Sequence, residues 1–223
     1  VAASGLASPR CVRLIVVGGE DLLPSAVQHW QRIAPWTQLI NAYGPTEVVV
    51  SVTMFQVPEG FCEPVPPQRI PIGRPLPGRT VRILDQHGED VMPGEVGELC
   101  AGGGQLARGY LNRPELTAER FIPDRTAPPD GRLYRTGDLA RQLPDGNLEC
   151  LGRIDRQVKI RGFRVELGEV ELALCSHDAI AQAALIVRED RPGDRALVAY
   201  FVERPDHHVD SDQPKAFLAE KLP

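Results

Sequence analysis

Residues 12–17, apolar except for Arg13, form a run closed by Gly18 and Gly19, which predicts a buried strand, and residues 24–34 then read as a helix and residues 37–40 as a second strand. A strand, helix, strand order lays the helix on a sheet and predicts parallel neighbours. Residues 49–57 predict another strand. It is followed by Pro58, Pro64, Pro66, Pro67, Pro71, Pro75 and Pro77. Proline has no ladder donor, so this density predicts an extended surface loop.

From residue 80 to about 153 the texture changes to short strands, T-V-R-I-L-D, G-E-V-G-E-L-C-A-G, R-L-Y-R-T and N-L-E-C-L-G, with turn signals D-Q-H-G-E-D and L-P-D-G-N between them. This predicts a meandering or barrel-like β region. Residues 115–121 are its one helix candidate, with Pro114 suited to the helix start. Beyond residue 155, Gln157, Lys159 and Arg161 alternate with Val158 and Ile160, which predicts a half-exposed strand with the two apolar residues inward. A helix over 168–176, strands over 181–187 and 196–202 and a helix over 213–222 complete a small α+β unit. The fold class is therefore α/β, becoming α+β in the second part, with the boundary at 152–155.

Composition narrows the function classes. The chain has 223 residues, 42% of them hydrophobic and 25% charged, the balance of an ordinary packed protein. No apolar run approaches the ~18 residues of a membrane span. The net charge of -5 comes with scattered Lys and Arg and no basic stripe, so no membrane and no nucleic acid is expected as a partner. Cys11, Cys62, Cys100, Cys150 and Cys175 are odd in number and widely spaced. They read as buried reduced thiols, which points to a cytoplasmic location. Neither a signal peptide nor a polar tail is visible, and both ends read as cut.

Four stretches carry candidate chemistry. N-A-Y-G-P-T-E (residues 41–47) places an aromatic ring, a hydroxyl and a carboxylate on a tight Gly-Pro turn after a strand, where open α/β sheets bind ligands. The same seven residues also fit a plain loop with a helix cap. Gly102, Gly103 and Gly104 allow close approach of a phosphate or simply make a flexible turn. In Y-R-T-G-D-L (residues 134–139), Asp138 fits either a carboxylate that holds vicinal ribose hydroxyls or an ordinary turn aspartate. In G-R-I-D-R-Q-V-K-I-R-G-F-R-V-E-L-G-E-V-E (residues 152–171), the recurring basic residues fit a solvated face or cations beside a phosphate.

Together, in this order and spacing, these stretches closely resemble the adenylation domains of nonribosomal peptide synthetases, within the adenylate-forming, AMP-binding superfamily. The resemblance starts at V-V-G-G-E-D-L-L-P (residues 16–24) and covers essentially the whole chain. It implies activation of an amino acid with ATP and Mg²⁺ to an aminoacyl-adenylate, then transfer to the phosphopantetheine of a carrier protein. It implies that residues 1–154 are the later part of a large AMP-binding domain and that residues 155–223 are most of a small one, with Asp155 as the hinge.

By the same resemblance, Tyr43 would lie against adenine and Asn41 would bond its amino group, with Ala42 and Gly44 alongside. Thr46 would contact phosphate, Glu47 would ligate Mg²⁺, and Asp138 and Arg153 would hold ribose or phosphate. Val16, Gly18, Ala42, Val50 and Ser51 match the amino-acid pocket, and their modest size leans towards an aromatic or large apolar substrate. Ala118, within 115–121, matches a contact for an MbtH-like helper protein. Further expected partners are the peptidyl carrier domain and neighbouring synthetase domains. The family's phosphate loop and the aspartate for the substrate amino group would lie before Val1, and its catalytic lysine after Pro223. Little activity is therefore expected of these residues alone. A fatty-acyl or aryl-acid ligase and a non-catalytic nucleotide- or partner-binding module are the alternatives.

Overall fold

The computed structural model describes residues 10–62, 67–127, 131–160, 162–191, 194–210 and 212–222. The chain divides into two compact units, Val1–Ile154 and Asp155–Pro223.

The first unit opens with β1 (Leu14–Gly18), α1 (Pro24–Ile33), β2 (Gln38–Tyr43) and β3 (Thr53–Val57), with a 3-10 turn at Thr46–Val48 between β2 and β3. Pro24 sits in the first turn of α1, where its missing N–H costs no hydrogen bond. β1 and β2 pair in parallel, as expected of strands joined through a helix, and β3 returns antiparallel on β2. Val27 of α1 packs on Leu39, Phe55 and Val57, with Ile15 and Val17 beside them. β4 (Arg74–Pro75) closes this sheet in the order β1-β2-β3-β4.

A second sheet holds β5 (Arg79–Leu84), β6 (Gly97–Gly103), β7 (Phe121–Pro123), β8 (Arg132–Gln142) and β9 (Leu148–Arg153), all pairs antiparallel. Its order is β5-β6-β8-β7, with β9 also on β8. α2 (Pro114–Arg120) precedes β7 directly. The main core joins the two sheets: Tyr43, Val48, Val52 and Ile72 pack with Leu99, Phe121, Tyr134 and Leu148. Gly73 makes that junction possible. Its φ is +85°, and a Cβ there would lie 1.8 Å from the Met54 carbonyl oxygen. Next to it, the Ile72 N–H donates to Leu148 O and the Leu148 N–H to Gly73 O, each at 2.8 Å.

The second unit has the hairpin β10 (Gln157–Ile160) and β11 (Phe163–Glu166), α3 (Leu167–Cys175), the hairpin β12 (Ile180–Arg191) and β13 (Asp194–Glu203), and α4 (Gln213–Lys221). Leu167, Leu174, Ile180 and Leu185 form its small core, with Leu218 of α4 packed against it.

Several expectations change. β1 is an edge strand, so only the face towards α1 is covered and Leu14 and Val16 are each 50% exposed. β2 runs on through Asn41, Ala42 and Tyr43. Residues 49–52 are not strand, because Val49 (φ 57°) and Val50 (φ 64°) take left-handed backbone to close the turn after Gly44-Pro45. That is costly for β-branched residues. It is held by the Val52 N–H on Tyr43 O at 2.7 Å.

The proline-rich segment is not all surface: Ile70 and Ile72 are buried, and Pro75 pairs with Thr53 at the sheet edge, where proline is tolerated. Pro64 and Pro66 lie outside the described residues. Gln157 is buried rather than solvated, because its amide pairs with Glu166 and accepts from Arg164. Arg161 lies outside the described residues. The five cysteines are free, but only Cys62 and Cys100 are buried, and Cys11 is exposed. Burial pushes the Cys100 thiol up to about 12. Among the described residues no helix is long and apolar enough to cross a membrane.

Candidate functional site

β2 ends in Asn41, Ala42 and Tyr43, and the next four residues turn the chain towards β8. Gly44 is obligatory there, since a Cβ would meet the Val50 carbonyl oxygen at 2.7 Å and the Ser51 Cα at 2.9 Å. The turn presents Tyr43 and Glu47 to the same strand. The buried Tyr43 hydroxyl donates to Asp138 Oδ2, and the Arg153 guanidinium donates to Asp138 Oδ1 at 2.9 Å. Asp138 and Arg153 are cross-strand partners of β8 and β9, so the register itself aligns them. Burial, then the Asp138 charge and hydrogen bond, hold the Tyr43 hydroxyl far above its ordinary pKa, so it stays a donor. Asn41 is buried too. Its amide nitrogen donates to Pro71 O at 2.8 Å, which leaves the amide oxygen as the acceptor of that side chain.

Asp138 is fixed from behind. Its N–H donates to Thr136 Oγ1 at 3.0 Å, and that hydroxyl donates to Leu99 O at 2.7 Å. The buried Glu98 accepts from the Gly137 N–H at 3.1 Å and from Arg135 Nε at 2.8 Å. This holds the irregular stretch of β8 that carries Asp138, which lies within the strand rather than in a turn.

At the other end of the Gly-Pro turn, Glu47 Oε1 accepts from the Tyr110 hydroxyl at 2.7 Å and the Tyr134 hydroxyl at 2.8 Å. The Ala107 N–H donates to the Glu47 carbonyl at 2.8 Å. Thr46 is exposed at the start of the 3-10 turn. Among the described residues no group of three or more His, Cys, Asp or Glu could hold a metal by itself. Mg²⁺ brought with a nucleotide needs one or two carboxylates, phosphate oxygens and water, so a half-buried Glu47 fits it.

The five pocket candidates divide. Gly18 and Ala42 are register partners, and a Cβ on Gly18 would lie 2.6 Å from Ala42 O. Val16 shares the exposed face of β1 with Gly18. Val50 is 77% exposed, and Ser51 is half-buried beside Gly44. Ala118 is exposed on α2, and Asp155 accepts from the Gln157 N–H at 3.1 Å.

Tyr110 and Tyr134 carry no assigned role in the sequence reading, although both lie inside motifs it singled out. In the glycine run before Tyr110, a Cβ on Gly104 would meet nothing within 4 Å, whereas Gly102 and Gly103 are enclosed. Gly102 and Gly103 end β6, where a Cβ would meet Arg132 O at 2.8 Å and Gly78 O at 2.5 Å, so their smallness serves strand packing.

Residues 3–111 match the family model described as "AMP-binding enzyme". Gramicidin S synthase 2 of Brevibacillus brevis is 43% identical over 212 residues, 95% of this chain and 5% of that protein. A dimodular nonribosomal peptide synthase of Bacillus subtilis (strain 168) is 45% identical over 214 residues, 95% of this chain and 9% of its own length. The chain thus spans under a tenth of these curated relatives. Among solved structures, IdnL1 superposes with a TM-score of 0.80 at 34% identity, over 95% of this chain and 42% of that one. PA1221, described as an NRPS protein containing adenylation and PCP domains, gives 0.77 at 34% identity, over 92% and 40%.

Proposed function

Since this chain belongs to the AMP-binding enzyme family, we propose that it forms the nucleotide-holding part of an adenylation domain that activates an amino acid in nonribosomal peptide synthesis. The observation that carries this reading is the Gly-Pro turn with Tyr43 on Asp138 and Arg153 at one end and Glu47 at the other.

In this reading the Tyr43 ring lies beside adenine, and the Asn41 amide oxygen accepts from the exocyclic amino group. Asp138 accepts from the ribose hydroxyls while Arg153 keeps its carboxylate oriented. Thr46 and Glu47 face the phosphates. A carboxylate is a weak nucleophile, so catalysis rests on holding it in line with the α-phosphate and offsetting charge on the departing pyrophosphate. Mg²⁺, held by Glu47, supplies part of that offset when bound. Val16, Gly18, Ala42, Val50 and Ser51 line the amino-acid side, with room for a large apolar or aromatic side chain. Asp155 is the hinge between large and small domains, on which the adenylate is handed to the phosphopantetheine of a carrier domain. Ala118 on α2 is the contact for an MbtH-like protein. The relatives' names and the PCP domain of PA1221 favour the amino-acid branch over acyl or aryl ligases.

The test is amino-acid-dependent exchange of pyrophosphate into ATP by the full natural chain. Asp138→Asn should raise the KM for ATP about 10- to 100-fold, the worth of charge-assisted hydrogen bonds. Exchange that no amino acid stimulates, or an unchanged KM in the variant, would overturn the assignment.

A further inference from the structure

Glu47 is surrounded by more supporting structure than a loop carboxylate needs. Tyr134, fully buried on β8, and Tyr110, partly buried in the loop after β6, converge on the same oxygen, Oε1, and their hydroxyls lie 3.2 Å apart. Both rings are braced by Phe121, with centroids at 5.1 Å from Tyr134 and 5.7 Å from Tyr110. The Tyr110 N–H donates to Thr117 Oγ1 at 2.9 Å, and Gly109 (φ +146°) lets the chain press onto Thr117, where a Cβ would meet Cγ2 at 2.3 Å. Arg132 donates to the carbonyls of Ala107 and Arg108, the loop whose N–H at Ala107 holds the Glu47 backbone. Side chain and backbone of Glu47 are therefore fixed from one wall built of β8, α2 and the 104–110 loop.

We infer that Tyr110 and Tyr134 are positioning residues that hold the Glu47 carboxylate in a fixed orientation for the metal–nucleotide complex. Two hydroxyls on Oε1 hold that oxygen from one side and restrict rotation of the carboxylate. Partners that orient a metal ligand in this way carry about 10- to 100-fold of metal affinity. A carboxylate free to rotate would lose that fraction to disorder. The inference rests on Glu47 as the metal ligand, and the two can fail separately.

The experiment is Mn²⁺ binding by the full natural chain in the presence of ATP, followed by water-proton relaxation, with AMP binding in EDTA measured in parallel. Tyr110→Phe and Tyr134→Phe should each weaken Mn²⁺ about tenfold. AMP affinity should stay within about twofold, since Tyr43, Asp138 and Arg153 are not touched. Glu47→Gln should weaken Mn²⁺ at least as much as either. If Glu47→Gln weakens Mn²⁺ and both tyrosine variants leave it unchanged, the positioning role is refuted while the ligand assignment stands. If Glu47→Gln itself leaves Mn²⁺ binding unchanged, the ligand assignment falls and the inference with it. Equal losses of AMP and Mn²⁺ affinity would mark a merely structural role and also refute it. Should Tyr134→Phe fail to fold, the less buried Tyr110→Phe decides alone.

Discussion

Replacing Gly73 by Ala should be among the most damaging single-methyl changes in the first unit. Two effects add. The residue sits at φ +85°, and left-handed backbone costs an L-residue about 1–2 kcal/mol. The added Cβ would also lie 1.8 Å from Met54 O, 2.1 Å from Met54 C and 2.4 Å from the Phe55 nitrogen. All three are backbone atoms of β3, so no rotamer relieves the contact and the segment must back away. Moving it breaks the two 2.8 Å hydrogen bonds to Leu148, about 1 kcal/mol each, and opens the core at Ile72 and Leu148. The expected loss is about 4–5 kcal/mol, a large share of the ~5–15 kcal/mol that holds a folded protein together. Urea unfolding of the full natural chain measures it, with Gly88→Ala as the control. Gly88 has a similar φ of +79°, and a methyl added there would meet nothing within 4 Å, so it reports the conformational part alone, about 1–2 kcal/mol. Equal losses at Gly73 and Gly88 would refute the close-approach argument.

Two further outcomes follow from the polar groups behind the site. Glu98→Gln should destabilise by about 1–2 kcal/mol in denaturant melts, discounted because the Arg135 side chain is 43% exposed, and should weaken ATP binding through the β8 backbone at Gly137. A folded variant with unaltered ATP affinity would break that link. Asp124 is buried, which alone would raise its pKa, but hydrogen bonds from Thr126 and the Arg82 charge together bring it below the ordinary carboxylate value. A lowered folded pKa means stability that is present above the unfolded value of about 4 and lost as pH falls through the folded one. The Tm gap between the natural chain and Asp124→Asn should therefore be wide at neutral pH and shrink in acid below about pH 4. A gap that persists in acid would contradict it.

What the sequence made legible was local. The turn signals around residues 85–90 and 143–147 mark the hairpins of the second sheet because Asp and Gly act on their own neighbours: Asp85 accepts from the His87 and Glu89 N–H groups, and Asp145 from Asn147. Tyr43 and Asp138 could be singled out from their motifs. That they touch could not, since 95 residues separate them. The Tyr110 and Tyr134 hydroxyls reach Glu47 across 63 and 87 residues, and such contacts leave no periodicity to detect. Val49 and Val50 misled for the opposite reason. Their β-propensity argues for strand, but the turn forced by Gly44 and Pro45 overrides it. Gln157 misled because alternation assigns every polar residue outward, and only its buried pairing with Glu166 and Arg164 reverses that.

Strand β8 carries Tyr134 and Asp138 four residues apart, with an irregularity in its pairing to β6 between Arg135 and Leu139. One contacts Glu47 and the other Tyr43, so β8 acts as a ruler that sets the distance between the two ends of the Gly-Pro turn. The amino-acid pocket candidates Val16, Gly18 and Ala42 belong instead to the first sheet. This division has a meaning for recombination between this chain and its relatives. Exchanging segments that end before residue 41 would trade Val16 and Gly18 and leave the ruler whole. A crossover inside residues 132–142 would instead split the strand that links the two ends of the Gly-Pro turn between two parents.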